Sequence, residues 1–190
     1  TSDTGRPASS APTGKQSPTP ASNATSPCFS LAVKPCTRPC PTVWPGAAAE
    51  AHRRSVRMGL AVRKWIERER LAAFTFNFLD MKKASGHVTV PFLEASKAMA
   101  RGVGYGGEGD VLTAQLVAAV ASAFPETTFT EMFCPDWENG TVLLSHMGEV
   151  NWRLLEGRGR LLEMDYQYSP TDNPVRVVGR LKPGAVVLVN

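Results

Sequence analysis

The chain has 190 residues, 43% hydrophobic and 20% charged, with a formal net charge of +4, so it is long enough for one domain with a core or for parts of two. Residues 1–46 carry +3 of that charge, and the nearly neutral remainder lacks the positive surface that nucleic-acid binding requires. No apolar run approaches the ~20 residues that span a bilayer, and no signal peptide is recognisable, so we expect a cytoplasmic protein without a membrane or nucleic-acid partner.

Residues 1–46 have the composition of a disordered tail. They hold nine of the fifteen prolines and fourteen serines and threonines. Such a segment buries too little apolar surface to offset the entropy that is lost on ordering. We therefore predict a disordered Pro/Ser/Thr-rich tail over residues 1–46 and a folded region that begins at Ala47.

The folded region opens with an amphipathic helix, AAAEAHRRSVRMGLAVRKWIERERL. Good helix formers dominate this stretch, and charged residues occupy most of its faces. The spacing predicts a helix of about five turns or more. Its apolar positions are Val56, Leu60, Trp65 and Ile66.

A strand and a second helix are predicted next. The stretch LAAFTFNFLD is short and aromatic, which indicates a buried strand that ends at Asp80. Thr89 and Pro91 then open the helix PFLEASKAMARG, because proline suits the first helical turn, and Gly102 ends it.

Residues 104–109 match the GxGxxG dinucleotide fingerprint, which leaves a nucleotide-dependent oxidoreductase as one alternative. That fingerprint joins a strand to a helix whose N-terminus binds the pyrophosphate. Here the preceding segment is predicted to be a helix, and the carboxylate of Glu108 would repel phosphate. The glycines instead predict a turn that exposes Glu108, followed by an apolar, buried helix over residues 111–124 with Asp110 as its N-cap.

The segment after Pro125 alternates as a strand does. In TTFTEMF the alternation places Glu131 on the same face as Phe129 and Phe133. A carboxylate on an apolar face costs several kcal/mol unless a cation or hydrogen-bond donors meet it. Glu131 is therefore a candidate for a functional role.

A turn, one strand and a hairpin complete the predicted pattern. Asn139-Gly140 indicates a turn, and the strand TVLLSHM after it places His146 on an apolar face. The link between these strands leaves their register open, so counting residues does not decide whether Glu131 and His146 converge. Residues 175–190 are predicted to form a hairpin closed by a proline-glycine turn.

Glu108, Glu131 and His146 together have the chemistry of a metal site. Two carboxylates and one imidazole suit Mn²⁺, Mg²⁺, Co²⁺ or Fe²⁺, and two carboxylates can also move a proton between neighbouring carbons of a carbonyl compound. The alternative is that all three residues have only structural roles. Glu108 would then be a surface residue of a turn, and His146 a hydrogen-bonded core residue. Glu131 would form an ion pair with an arginine such as Arg153 or Arg158. Spacing alone leaves both interpretations open.

Four motifs, FTFNFLD, GYGGEGD, FTEMF and SHMGEV, occur in an order and spacing that resemble L-arabinose isomerases and their L-fucose isomerase relatives. The resemblance covers about residues 54–190 and implies an aldose–ketose isomerase that transfers a proton through an enediol. It implies that Glu108 and Glu131 are both metal ligands and the acid/base pair. It also implies that His146 is a metal ligand and that Phe78 lies near the sugar.

The resemblance also implies a domain architecture and a set of binding partners. Residues 47–126 would be the C-terminal part of a Rossmann-like central α/β domain, and residues 127–190 the start of a β-rich, barrel-like C-terminal domain. The resemblance implies that the metal is a divalent ion, most often Mn²⁺, and that the bound small molecule is a sugar. It also implies that the intact protein is a homo-oligomer. The residue at position 131 is a glutamate, whereas L-fucose isomerases have an aspartate there. This difference makes the chain more similar to the L-arabinose isomerases.

Some features depart from the family pattern. Met132-Phe133 stands where the family has Asp-Tyr, the family's second metal-binding histidine lies beyond Asn190, and the proline-rich tail replaces the N-terminal domain. We therefore expect a fragment of such an isomerase. The alternative is a non-catalytic sugar-binding or oligomer-forming remnant of the same family.

Overall fold

The structure, a computed structural model, describes residues 29–33 and 47–190. Within these residues the strands form four two-stranded sheets, of which only β2–β3 is parallel. This mixture of helices and strands confirms the predicted α/β class. In chain order the elements are β1 (Phe29–Val33), α1 (Ala49–Glu69), β2 (Ala73–Thr75), α2 (Phe92–Met99), β3 (Gly104–Gly106), α3 (Val111–Ala123), β4 (Glu131–Asp136), β5 (Thr141–Ser145), β6 (Arg160–Glu163), β7 (Val175–Val178) and β8 (Gly184–Leu188), with 3₁₀ turns at Phe78–Asp80, Lys83–Ser85 and Trp152–Leu154.

Helix α1 forms where the sequence predicted it, but of the four predicted apolar positions only Ile66 is fully buried, and Val56 and Trp65 are half-buried. Leu60, expected on the apolar face, is 51% exposed. Helix α2 approaches Gly59 so closely that a Cβ there would lie 3.2 Å from the Cβ of Glu94. The contact between the two helices therefore uses the small residues of α1, and the buried positions are Ala51, Ser55, Gly59, Val62 and Ile66.

The glycine-rich segment contains a strand that the sequence did not predict. β3 runs parallel to β2, with Ala73 opposite Gly104, and it leads through the turn at Glu108 into α3. The helix predicted before these glycines is present as α2. The strand was missed because three residues rich in glycine give no alternation signal. A Cβ on Gly106 would lie 2.7 Å from the carbonyl oxygen of Asp110. The glycines thus allow β3 to pack against the start of α3.

Helix α3 begins at the predicted cap but is only partly buried. The side chain of Asp110 accepts a hydrogen bond of 2.9 Å from the backbone N–H of Thr113, which confirms the N-cap. The expectation of a wholly buried helix is wrong, since Leu112 is 79% exposed. Strands β2 and β3 cover one side of the helix, and its buried residues are Ala114, Val117 and Ala121.

The β4–β5 hairpin confirms the turn that was predicted at Asn139-Gly140. Residues 127–130 are not part of its first strand, which begins at Glu131. Every residue of β4 is exposed. The alternation that placed Glu131 on the face of Phe129 therefore does not apply, because Phe129 lies before the strand and is buried elsewhere.

The predicted hairpin over residues 175–190 is wrong. β7 pairs with β6, whereas β8 pairs with β1, and Leu181 between them bridges to Leu155. β1 also corrects the disordered-tail prediction for residues 29–33, since the backbone there pairs with β8 over five residues. The rest of the predicted tail lies outside the described residues.

The core joins the early and late parts of the chain. One apolar cluster combines Leu93 from α2 with Leu155 and Val177, so residues on both sides of the predicted domain boundary pack together. The division at residue 126 stays a prediction. No helix in the described part of the chain is long and apolar enough to cross a bilayer.

Candidate functional site around His146

His146 lies directly after β5, and its side chain is only 3% exposed. The ring of Phe129 meets it edge-on at a centroid distance of 4.9 Å. The backbone of Gly107 lies against its other atoms, because a Cβ on Gly107 would be 2.8 Å from Cε1 and 3.1 Å from Nε2. The imidazole is therefore enclosed by the glycine-rich segment and by Phe129, which lies just before the hairpin.

Glu149 holds the other side of the imidazole. Its Oε2 is 2.8 Å from Nδ1 of His146, and its Oε1 accepts a hydrogen bond of 2.7 Å from the hydroxyl of Tyr105. The Glu149 side chain is fully buried. Sequence reasoning missed this residue, although a glutamate three positions after His146 and beside apolar Val150 was a usable signal.

The carboxylates around His146 set its protonation. Burial by itself lowers the pKa of His146, but the hydrogen bond and the charge of Glu149, with smaller contributions from the charges of Glu131 and Glu108, raise the pKa above its ordinary value. Burial, followed by the charge and hydrogen bond of Glu149, raises the pKa of the Tyr105 hydroxyl well above its usual range. Tyr105 is therefore a neutral hydrogen-bond donor to Glu149 at ordinary pH.

Glu131 and His146 converge, which the sequence left open. Glu131 pairs with Ser145 across the β4–β5 ladder, and His146 directly follows Ser145 in the chain. The Oε1 of Glu131 is 3.7 Å from Nε2 of His146, and 44% of the Glu131 side chain is exposed. The predicted alternative, an ion pair with Arg153 or Arg158, does not form among the described residues.

Glu108 lies in the turn between β3 and α3. Its backbone φ of 58° is in the left-handed region, which is uncommon for a residue other than glycine. The side chain is exposed, as predicted. Its charge contributes to the raised pKa of His146, and its neighbour Gly107 lies against that imidazole.

Phe78 belongs to a separate aromatic cluster. It is buried and packs edge-on against Phe92 at 5.2 Å and Tyr166 at 6.2 Å. A role for Phe78 beside a sugar stays a prediction.

The donor types at His146 fit a hard divalent cation, since a carboxylate oxygen and an imidazole nitrogen already lie 3.7 Å apart there. Within the described residues, no three His, Cys, Asp or Glu side chains are placed to hold a metal ion together. A third donor would therefore have to move toward Glu131 and His146. A cavity of about 270 Å³ is lined by His146, Glu149 and Arg176 among mainly apolar residues.

Comparisons with known proteins agree on one family. A family model for the L-arabinose isomerase central domain matches residues 43–124. The chain is 33% identical over 141 residues to L-arabinose isomerase 1 of Bacillus licheniformis, a match that covers 71% of this chain and 28% of that protein. It is also 33% identical over 152 residues to L-arabinose isomerase of a Nocardioides species, covering 76% of this chain and 29% of the relative. The chain thus spans less than a third of the length of these relatives.

Proposed function

Because the chain belongs to the L-arabinose isomerase family, we propose that it contributes the active-site region of a metal-dependent aldose–ketose isomerase that acts on a sugar of the arabinose type. The observation that supports this most is the approach of Glu131 to His146 beside the turn that carries Glu108. The family resemblance implies that these three residues are the metal ligands. The isomerase activity of the whole protein, to which this chain would contribute, is included in this proposal.

Glu108, Glu131 and His146 would hold the metal ion, for which Mn²⁺ is the proposed choice. The exposed carboxylate of Glu131 and the Nε2 of His146 supply one oxygen and one nitrogen donor. Glu108 would complete the set by a local movement of its exposed turn. When bound, the ion supplies positive charge that stabilises negative charge on the substrate oxygens.

The two glutamates are also the proposed acid and base. One carboxylate would take the proton from C2 of the aldose and return it to C1, while the hydroxyl proton on O2 passes to O1 with the help of the second carboxylate; together these transfers convert the aldose to the ketose. The side chain of Glu131 is 44% exposed, and His146 beside it lines a cavity in which the sugar would bind. Phe78 would contact the sugar through its aromatic ring.

We also propose that the chain shares the family's domain architecture and oligomeric state. Residues 47–126 would form the C-terminal part of a Rossmann-like central domain, and residues 127–190 the beginning of a β-rich, barrel-like domain. The intact protein would be a cytoplasmic homo-oligomer. These statements follow the family resemblance and the match to the central domain.

A metal titration and a turnover assay test this proposal. We expect saturable Mn²⁺ binding by the purified chain, and conversion of L-arabinose to its ketose in the presence of Mn²⁺. Glu131→Gln should lower turnover by about 10²–10⁴-fold, as removal of an acid/base group does. Glu138→Gln is the matched control, because Glu138 is an exposed glutamate in the turn of the same hairpin.

A non-catalytic remnant is the second candidate, favoured by the absence of a preformed three-ligand cluster in the described residues. Metal that fails to bind at millimolar concentration, together with no detectable turnover, would establish that alternative. The nucleotide-dependent oxidoreductase rests on the glycine pattern at the β3–α3 junction. Saturable binding of NAD or NADP would be needed to support it.

A further inference from the structure

We propose that Glu149 and Tyr105 are positioning residues that fix His146 as its Nδ1–H tautomer and so direct the Nε2 lone pair toward Glu131. The proposal deepens the proposed function, because Nε2 is the atom that would bind the metal. It concerns where the proton of the neutral imidazole lies, which positions of heavy atoms alone do not settle.

The geometry leaves two arrangements for the short contact between His146 and Glu149. Either the Nδ1–H of His146 donates to an ionised Glu149, or a protonated Glu149 donates to Nδ1. In the first arrangement Nε2 carries a lone pair; in the second it carries a hydrogen. The distance of 2.8 Å between Nδ1 and Oε2 is compatible with both.

Tyr105 selects between these arrangements. Its hydroxyl donates to Oε1 of the same carboxylate at 2.7 Å, so an ionised Glu149 receives two hydrogen bonds, one on each oxygen. Hydrogen bonds to a charged acceptor are stronger than those to a neutral one and favour the ionised carboxylate. The proton is therefore placed on Nδ1, and each oxygen of Glu149 takes part in one hydrogen bond.

The surroundings of Nε2 agree with a lone pair at that atom. The neighbouring groups are the backbone of Gly107, whose added Cβ would lie 3.1 Å from Nε2, and the carboxylate of Glu131 at 3.7 Å. The Glu131 oxygen is too far away to accept a hydrogen bond from Nε2. A hydrogen on Nε2 would thus have no hydrogen bond to Glu131. A cation placed between Nε2 and the Glu131 carboxylate would instead contact both of them.

The arrangement also links two of the sequence motifs. Tyr105 comes from β3, in the glycine-rich segment, and lies 44 residues before Glu149 in the chain. Its ring packs at 5.8 Å against Phe129, which in turn meets His146. The glycine-rich segment therefore orients His146 through a buried chain of contacts, in addition to carrying Glu108.

The first measurement is the tautomer of His146 in the metal-free, full-length chain. Long-range ¹H–¹⁵N NMR at alkaline pH, where the imidazole is neutral, should show a protonated Nδ1 and an unprotonated Nε2. A protonated Nε2 would overturn the proposal. This readout does not depend on metal binding or turnover, so it separates the proposal from the proposed function.

The second measurement compares Mn²⁺ affinities of matched variants by calorimetry. Glu149→Gln should weaken binding by about 10–100-fold, the usual effect of removing a partner that orients a metal ligand. Tyr105→Phe keeps the ring but removes the donor, and should weaken binding by a smaller factor. Glu94→Gln is the control, since Glu94 is an equally buried glutamate that pairs with Arg101 away from the site.

Unchanged affinity in Glu149→Gln relative to wild type would contradict the positioning role. If that variant does not fold, Tyr105→Phe and the wild-type tautomer decide the question. If the wild-type chain binds no Mn²⁺, the metal site of the proposed function fails, and the NMR result still tests the position of the proton.

Discussion

Gly107 lies against His146 so closely that a Cβ at this position would be 2.8 Å from the imidazole Cε1. This contact brings the glycine-rich turn and the end of β5 together around one imidazole. The requirement for glycine here is steric, because Gly107 is not among the residues with positive φ. A side chain would fit the backbone conformation but not the space.

We expect Gly107→Ala to destabilise the protein by about 1–3 kcal/mol, the usual effect of inserting an extra group into a packed site. Chemical denaturation with urea measures the change. Gly184→Ala is the matched control: nothing lies within 4 Å of a Cβ there, so its effect should stay within about 0.5 kcal/mol. Equal stabilities of the two variants would contradict the steric account.

The raised pKa of His146 predicts a pH-dependent contribution to stability. Because the folded pKa exceeds the unfolded value, protonated His146 stabilises the fold fully below about pH 6.5, and this contribution is lost as the pH rises through the folded pKa. His146→Gln should therefore reduce the free energy of unfolding most at acid pH and less at alkaline pH.

Urea denaturation between about pH 5.5 and pH 8.5 measures this trend. His52→Gln, which changes an exposed histidine of α1, is the control. A stability difference for His146→Gln that is constant or grows with pH would exclude the carboxylates as the cause.

The N-cap of α3 gives a local prediction. Asp110→Ala removes the acceptor for the backbone N–H of Thr113 and should cost about 1 kcal/mol. Asp110→Asn keeps a capping oxygen and should retain most of that stability. Hydrogen bonds from Thr113 lower the pKa of Asp110, so the cap contribution is lost as the pH falls through that lowered value. Thermal or urea unfolding of the two variants checks the expectation.

The ion pair between Arg101 and Glu94 gives the last prediction. Glu94 is buried and Arg101 reaches it at 2.5 Å. Arg101→Met would leave the Glu94 carboxylate without this donor, which we expect to cost about 2–3 kcal/mol. Arg53→Met removes an exposed ion pair with Glu50 and should cost at most about 1 kcal/mol. A loss of stability that is no larger for Arg101→Met would show that burial of Glu94 does not matter.

The elements that the sequence predicted well are those fixed by neighbouring residues. The helical period of α1, the Asp110 cap and the Asn139-Gly140 turn all depend on contacts within a few positions of the chain. The same local patterns indicated Glu108, Glu131 and His146 as a set of interest. The motifs they lie in also indicated the family that the comparisons then established.

Only the tertiary structure decided how these pieces meet. β8 pairs with β1 instead of β7, three glycine-rich residues form β3, and Glu131 comes within 3.7 Å of His146. The hydrogen bond from Tyr105 to Glu149 spans 44 residues. Strand partners and buried polar contacts depend on groups distant in the chain, and spacing along the sequence carries no information about those distances. The sequence therefore determined the types of residue at the site, and the fold determined which of them touch.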